Sequence, residues 1–369
     1  MSRLLTTIAA GLLTALAIAP ASAQDKVVNV YNWSDYIDES VLEAFTKETG
    51  IKVRYDVFDS NEVLETKLLG GKTGYDVVVP TGSFLQRQIQ AGVFLKLDKA
   101  KLPNLQYQWP LIADRLAVYD PGNQYAVNYM WGTTGIGMNV DKVKERLGDI
   151  PLNSWDIIFK PEILAKLKDC GVYVLDGPEE VIPTALRYLG KDPNSKDPKD
   201  IEAAGKLLAP IRPFIRKFDS SGYINALAGG DICIALGWSG DVFQAKARAE
   251  EAATKTGKPA VNIQYVIPKE GALMWFDNFA IPKDAPHPDE ALAFINYMMK
   301  PEVAAKNSDF ISYANGNLES QKFIDKAILD NPAIYPDKET LEKLFTVTTY
   351  PQKVQRVVTR TWSDFKRGK

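Results

Sequence analysis

The sequence predicts an α/β protein built on doubly wound sheets. Three observations carry this. Strand and helix patterns alternate from Val27 onward, the apolar runs are short and bounded by Gly or Pro, and a second alternating region follows the first in a chain of 369 residues. Residues 27–32 (VVNVYN) form the first expected strand. A helix is expected over 39–48, with Asp38 placed to cap it and Gly50 just past its end. Residues 51–57 (IKVRYDV) are a second strand. A helix over 60–69 follows, where Asp59 and Glu62 have capping-box spacing. Residues 75–80 (YDVVVP), between Gly74 and Pro80, are a buried strand, and a helix near 83–91 completes the unit.

The second region has expected strands at 172–175 and 232–236 and expected helices at 156–168, 179–189, 199–208 and 241–253. Strands at 261–267 and 273–281 and a helix at 288–299 come next. The polar, Pro-containing stretch 191–199 (KDPNSKDPK) is an exposed loop. This mix favours two lobes over one long sheet. No internal repeat or low-complexity tract is present.

Residues 1–23 (MSRLLTTIAAGLLTALAIAPASA) have the features of a secretory signal peptide. One charged residue, Arg3, precedes an apolar stretch, and Ala21-Ser22-Ala23 is an A-x-A site with cleavage expected before Gln24. Thr and Gly break the apolar stretch, which is too short to span a bilayer, and no other run reaches the ~18 apolar residues that would. The expected product is an exported soluble protein. A formal charge of −2 gives a nucleic-acid role no electrostatic support. The two cysteines, Cys170 and Cys233, either pair in an oxidising compartment or remain buried thiols.

Ligands of open α/β sheets bind beyond the carboxyl ends of the strands. Trp33-Ser34-Asp35-Tyr36 follows the first expected strand, and Thr81-Gly82-Ser83-Phe84 follows 75–80. Asp176, Glu179 and Glu180 follow 172–175. Gly237-Trp238-Ser239-Gly240-Asp241 follows 232–236, and Trp275, Phe276 and Asp277 lie within 273–281. Four of these five places join an aromatic to a carboxylate or hydroxyl, and none carries Lys or Arg. Carboxylates supply an ammonium group with charged acceptors. Aromatic rings wall its methylene chain and attract the cation by ~0.5–2 kcal/mol each. Such a mixture suits a diamine or polyamine and repels anions. Taken singly, each residue has a structural reading: the Trp as core, Asp241 as a helix cap, Asp35 as a turn residue, Glu179 and Glu180 as dipole partners. The recurrence of one pairing at several strand ends points to a site.

At these residues the sequence resembles the periplasmic polyamine-binding proteins of ABC importers, the spermidine/putrescine-binding family, and within it the putrescine branch most. The matching motifs are YNWSDYI (31–37), YDVFDSNEVLE (55–65), YDVVVPTGSFLQRQ (75–88), TTGIGMNVDKV (133–143), LDGPEEV (175–181), GDICIALGWSGDV (230–242) and FDNFAIP (276–282). They run through essentially all of the chain after the leader. The resemblance implies a type II periplasmic-binding fold, two α/β lobes joined by two chain crossings near 133–136 and 274–277, with a ligand cleft between them. Lobe 1 is then 24–134 plus about 276–312, and lobe 2 about 135–275 plus about 313–369.

The implied ligand contacts are Trp33, Ser34, Asp35, Tyr36, Thr81 and Ser83 from the first lobe and Glu180, Trp238 and Asp241 from the second. Trp275 and Asp277 lie near a crossing, with Tyr313 at the other end of the cleft. Asp277 and Glu180 are expected to anchor ammonium groups with Asp241 assisting, while Trp33, Trp238, Trp275 and Tyr313 box the chain. The family also pairs the positions of Cys170 and Cys233. Asp35, Ser83 and Asp241 match the putrescine branch. Thr81 stands where that branch has Ser, and Trp275 where it has Phe and the spermidine branch Trp, so the site is mixed between the two ligands. The implied product is a periplasmic monomer that delivers polyamine to an ABC transporter permease, with no cofactor, metal or catalytic residue.

Other readings are a solute-binding protein for another small ligand and a secreted enzyme. A solute-binding protein for an amino acid would use a base for the carboxylate, and one for a sugar would use aromatics with mixed polar groups. An enzyme is poorly served. The one histidine, His287, lies in a Pro-rich stretch at a helix start, which leaves only carboxylate-pair chemistry. Residues 70–73 (GGKT) lack the Gly at position 66 that a phosphate-binding loop requires.

Overall fold

The computed structural model describes residues 26–369, so the expected signal peptide and its cleavage site lie outside the described residues. Among the described residues no helix is long and apolar enough to cross a membrane.

Ten strands among the described residues join in one open mixed sheet: β1 Val27–Trp33, β2 Lys52–Phe58, β3 Val77–Val78, β4 Ala126–Asn139, β5 Val172–Val174, β6 Lys217–Phe218, β7 Ile234–Trp238, β8 Ile263–Val266, β9 Leu273–Ala280 and β10 Ala314–Asn315. Their order is β2-β1-β3-β9-β4-β7-β5-β6, with β8 and β10 also on β4. The flanks are parallel, β1 with β2 and β3, and β5 with β6 and β7. These are the two expected α/β units. The centre is antiparallel, where β4 meets both β9 and β7.

β4 is the longest strand and is absent from the sequence expectation. All fourteen of its residues are buried. With both faces covered it shows no apolar–polar alternation, and Gly132, Gly135 and Gly137 lower its strand propensity. β4 and β9 pair from Ala126↔Ala280 to Thr134↔Leu273 and cross the molecule together. At one end, Met130 packs with Val28, Val30, Phe45, Val77 and Phe279. At the other, Ile136 and Met138 pack with Trp155, Val172, Ile234 and Tyr265. Two separate apolar cores on one pair of strands give the two-lobe form. A smaller cluster around Trp131, Met274, Phe276 and Ile334 covers the middle.

The helices follow local signals closely. The Asp38 carboxylate accepts from Ser40 N at 2.9 Å to start helix Glu39–Thr49, and Gly50 ends it at φ +72°. Helix Asn61–Gly70 differs from expectation: Ser60, not Asp59, caps it by accepting from Val63 N at 3.2 Å. Asp59 is left free for another role. The helix expected over 156–168 is broken into Asp156–Phe159, Pro161–Leu164 and a 3₁₀ turn at Ala165–Leu167. Pro161 has no N–H to continue the first segment. Helices Pro301–Ile311 and Gln352–Arg367 were not anticipated. His287 begins helix Pro288–Met298, and its ring Nδ1 lies 3.0 Å from the fully buried Asp76 carboxylate.

Cys170 and Cys233 form a disulfide (Cα–Cα 5.5 Å) within the second core, across a sequence separation of 63. Closing a loop of that length restricts the unfolded chain. Cys233→Ala is therefore expected to lower unfolding free energy by about 2–4 kcal/mol in urea melts, with the far-UV spectrum unchanged.

Candidate functional site

The strand ends converge on the junction between the cores. One cavity there is lined by Trp33, Ser34, Tyr36, Asp59, Asn61, Thr81, Glu180, Ser220, Trp238, Asp241, Trp275, Asp277 and Tyr313. Ten of the twelve residues expected from the sequence lie around it. Asp35 and Ser83 do not. Asp35 turns outward at φ +54° and pairs with Arg248. Ser83 is buried in the first turn of helix Gly82–Gln90, beside a separate small pocket with Arg87, Glu179 and Val347.

Asp59, Asn61 and Ser220 also line the cavity and are not among the expected contacts. Asp59 and Asn61 follow β2, so the strand-end rule reaches them, but the capping pattern drew Asp59 into the helix instead. Ser220 follows β6, a strand of two residues that leaves no periodic signal.

Asp277 is the most heavily supported acid. It lies in β9 opposite a register shift in β4 between Asn128 and Met130, and bulges of this kind re-aim side chains beside sites. Asn128 Nδ2 donates to the Asp277 carbonyl at 3.0 Å. The Thr81 hydroxyl donates to Asp277 Oδ1 at 2.6 Å and itself accepts from Asn61 Nδ2 at 2.9 Å. Tyr36 donates to Oδ2 at 2.9 Å. Thr81 occupies the N-cap position of helix Gly82–Gln90 yet makes no capping bond, so its hydroxyl serves the site.

Asp241 is held in the same way from the other lobe. Tyr313 donates to Oδ1 at 2.7 Å and Tyr223 to Oδ2 at 2.9 Å. It is in the first turn of helix Ser239–Thr256 and does not cap it. Glu180 lies in the first turn of helix Pro178–Tyr188 and accepts from the Thr134 hydroxyl on β4. Asp176, by contrast, pairs with Lys366 at 2.7 Å outside the cavity.

Burial pushes Asp241, Asp277 and Glu180 each up to about 7. Hydrogen bonds from their hydroxyl partners work against that rise, and Glu180 and Asp241 add repulsion at Asp277. No Lys or Arg lines the cavity. Three desolvated acids without a cation form a site whose missing partner is positive charge.

The walls are aromatic. Trp33 and Trp238, one from each lobe, meet edge to face at 5.7 Å between ring centroids, and Trp33 Nε1 donates to Val79 O at 2.9 Å. Trp275 and Tyr313 meet at 5.2 Å. Two glycines admit these rings. A Cβ on Gly132 would lie 2.7 Å from the Trp275 ring, and one on Gly240 would lie 2.4 Å from the Tyr313 ring. Gly240→Ala must push Tyr313 from its place against Asp241. Overpacking of this kind costs about 1–3 kcal/mol. A lowered melting temperature together with weaker ligand binding is expected, by differential scanning fluorimetry and calorimetry.

A cavity enclosed between two α/β lobes, with acids and aromatic rings supplied by both, is the architecture of a two-lobed solute-binding protein. Comparison with known proteins agrees. Residues 40–336 match the family model for bacterial extracellular solute-binding proteins. The chain is 53% identical over 365 residues to the putrescine-binding periplasmic protein SpuD of Pseudomonas aeruginosa, covering 99% of this chain and 98% of that one. It is 52% identical over 367 residues to the putrescine-binding periplasmic protein PotF of Escherichia coli, again covering 99% and 98%. The crystal structure of the spermidine/putrescine ABC transporter substrate-binding protein PotD from Streptococcus pneumoniae superposes with a TM-score of 0.74 at 31% identity, covering 93% of this chain and 99% of that one. The chain belongs to the bacterial extracellular solute-binding protein family.

Proposed function

We propose that this protein captures a polyamine, putrescine or spermidine, in the cavity between its lobes and delivers it to an ABC transporter. The observation that carries this reading is the set of three desolvated carboxyls, the buried Asp241 and Asp277 and the half-buried Glu180, with no basic residue among the cavity-lining side chains. Ammonium groups supply the missing charge, and the anchors are Asp277 and Glu180, with Asp241 assisting. Trp33, Trp238, Trp275 and Tyr313 box the methylene chain, and Ser34, Tyr36 and Thr81 complete the contacts. Asp59 extends the acidic wall toward the mouth of the cleft. The chain performs capture and not catalysis. The relatives' names are those of binding proteins.

The lobes of this reading are 24–134 with about 276–312, and about 135–275 with about 313–369. The protein is exported through residues 1–23 and works as a periplasmic monomer that meets its permease when closed. The test is thermal melting of protein stripped of carried-over ligand by unfolding and refolding. The panel is putrescine, cadaverine, agmatine, spermidine, spermine, arginine, glutamate and maltose. Ligand at 100 times its dissociation constant stabilises by about 2.7 kcal/mol, so a large upshift restricted to polyamines is expected. A shift with maltose or glutamate alone would refute the reading.

A further inference from the structure

We propose that a row of arginines on helix Gln352–Arg367, which walls a groove at the mouth of the cavity, is the surface on which an acidic loop of the permease docks. The inference rests on the transport reading above. The groove holds about 1760 Å³, beyond the roughly 300–1,000 Å³ of a small-molecule pocket, so its occupant is larger than a polyamine. It opens into the ligand cavity, with which it shares Asp59 and Ser220.

The helix is anchored by its inner face. Val354, Val358, Trp362 and Phe365 are buried in the second core, and their spacing keeps them on one side of a 3.6-residue helix. The outward side carries Arg356, Thr359, Arg360 and Arg367, all exposed and all lining the groove. Arg356 has no ion-pair partner among the described residues. Arg360 reaches Glu202 at 3.8 Å with both side chains more than half exposed, and Arg367 reaches Asp364 at 2.7 Å within its own last turn. Pairs this exposed hold a guanidinium weakly, so all three arginines are available to a partner.

These arginines do not serve the cargo. On the side toward the cavity the groove carries Asp59, Glu62 and Glu179, which stand with Trp33 and Trp238 around a smaller pocket and suit an entering ammonium. The arginine wall has the opposite sign, although the chain as a whole has a formal charge of −2. A cationic row beside a cation's entrance is repulsive. The guanidinium fork matches carboxylate geometry, so an acidic segment fits this wall, and a recessed groove admits a loop where a flat membrane face does not reach. The facing wall is helix Asn61–Gly70, with Glu62, Glu65 and Leu69, which packs on the first core through Leu64 and Leu68. With one wall on each core, the groove takes its shape from lobes that stand together. A loop seated there reads the loaded state.

The test replaces the chain in its own bacterium with Arg356→Glu/Arg360→Glu and follows uptake of labelled putrescine. Like charges set face to face across an interface are strongly disfavoured, so uptake is expected to fall at least about tenfold at an equal amount of periplasmic protein. Neither arginine lines the ligand cavity. The purified variant therefore keeps its melting temperature, and its putrescine dissociation constant by calorimetry stays within about twofold, because solvent screens charge at this range. Lys353→Glu, on the same helix but outside the groove, leaves uptake unchanged. Unchanged uptake in the double variant overturns the proposal. So does a loss of uptake matched by an equal loss of putrescine affinity, which makes the groove part of the ligand path, and so does an equal loss in Lys353→Glu. Sedimentation with phosphatidylglycerol vesicles by the wild type and not by the double variant would assign the arginines to lipid and overturn the permease as occupant. Should the double variant misfold, Arg356→Glu alone, which breaks no ion pair, decides. Wild-type protein that binds no polyamine overturns the transport reading itself, a result distinct from normal binding with unaltered uptake.

Discussion

Asp277→Asn is expected to weaken putrescine binding by about 2–5 kcal/mol, the cost of removing one partner from a buried hydrogen-bonded charge pair. That is at least roughly thirtyfold in dissociation constant, measured by isothermal titration calorimetry on the stripped protein. The substitution keeps the volume, and the amide can still bond Thr81 and Tyr36. What it removes is a carboxyl that burial has pushed up to about 7, which the ligand-free protein holds at a cost when ionised. The same variant is therefore expected to melt higher than the wild type without ligand and to gain less from putrescine. Binding and stability move in opposite directions because the acid is placed for a charge that only the ligand supplies. A variant that binds normally would remove Asp277 from the site.

Putrescine affinity is expected to fall at least about tenfold between pH 8 and pH 6, since a group titrating near 7 loses most of its charge over that interval. Asp241, Asp277 and Glu180 all sit at about 7 in the ligand-free protein, and a bound dication draws them back toward the ordinary carboxylate range. Binding near neutrality therefore releases protons. Titrations in buffers of different ionisation enthalpy read the number directly.

The sign for stability runs the other way. A carboxyl whose folded value is raised contributes stability that is full below its unfolded value near 4. That contribution is lost as pH rises through 7. These three groups thus favour the ligand-free protein at pH 5.5 over pH 8, and saturating putrescine abolishes the difference. Binding that is flat across this range would mean that the acids are already ionised, with partners other than the ligand.

Much of the first lobe was legible because its signals are local. Asp38 and Gly50 bound their helix as expected, and β1, the helix Glu39–Thr49 and β2 follow in the expected order. The strand-end rule found Thr81, Glu180 and the Trp33 and Trp238 positions, since it needs only the position where an apolar run stops, whereas Trp275 and Asp277 stand inside the expected strand 273–281 and drew notice by pairing an aromatic with an acid. It did less well where two rules competed for one residue. Asp59 has the spacing of a cap, but the Ser60 hydroxyl takes that place, and no sequence pattern ranks one against the other.

By itself, then, the sequence determined the fold class, the family, the acid-and-aromatic character of the site and most of its residues. These are matters of composition and of short spacings along the chain. Only the tertiary structure decided which of those residues share a cavity. Asp35 lies between two that do, yet it faces Arg248, 213 residues away. The central strand β4 is legible only once both of its faces are covered by partners distant in sequence. The raised pKa values arise in the same way. A carboxyl's proton affinity depends on how much water and opposite charge surround it, and at Asp277 those surroundings come from Tyr36, Thr81, Glu180 and Asp241, brought together by the fold and not by sequence proximity.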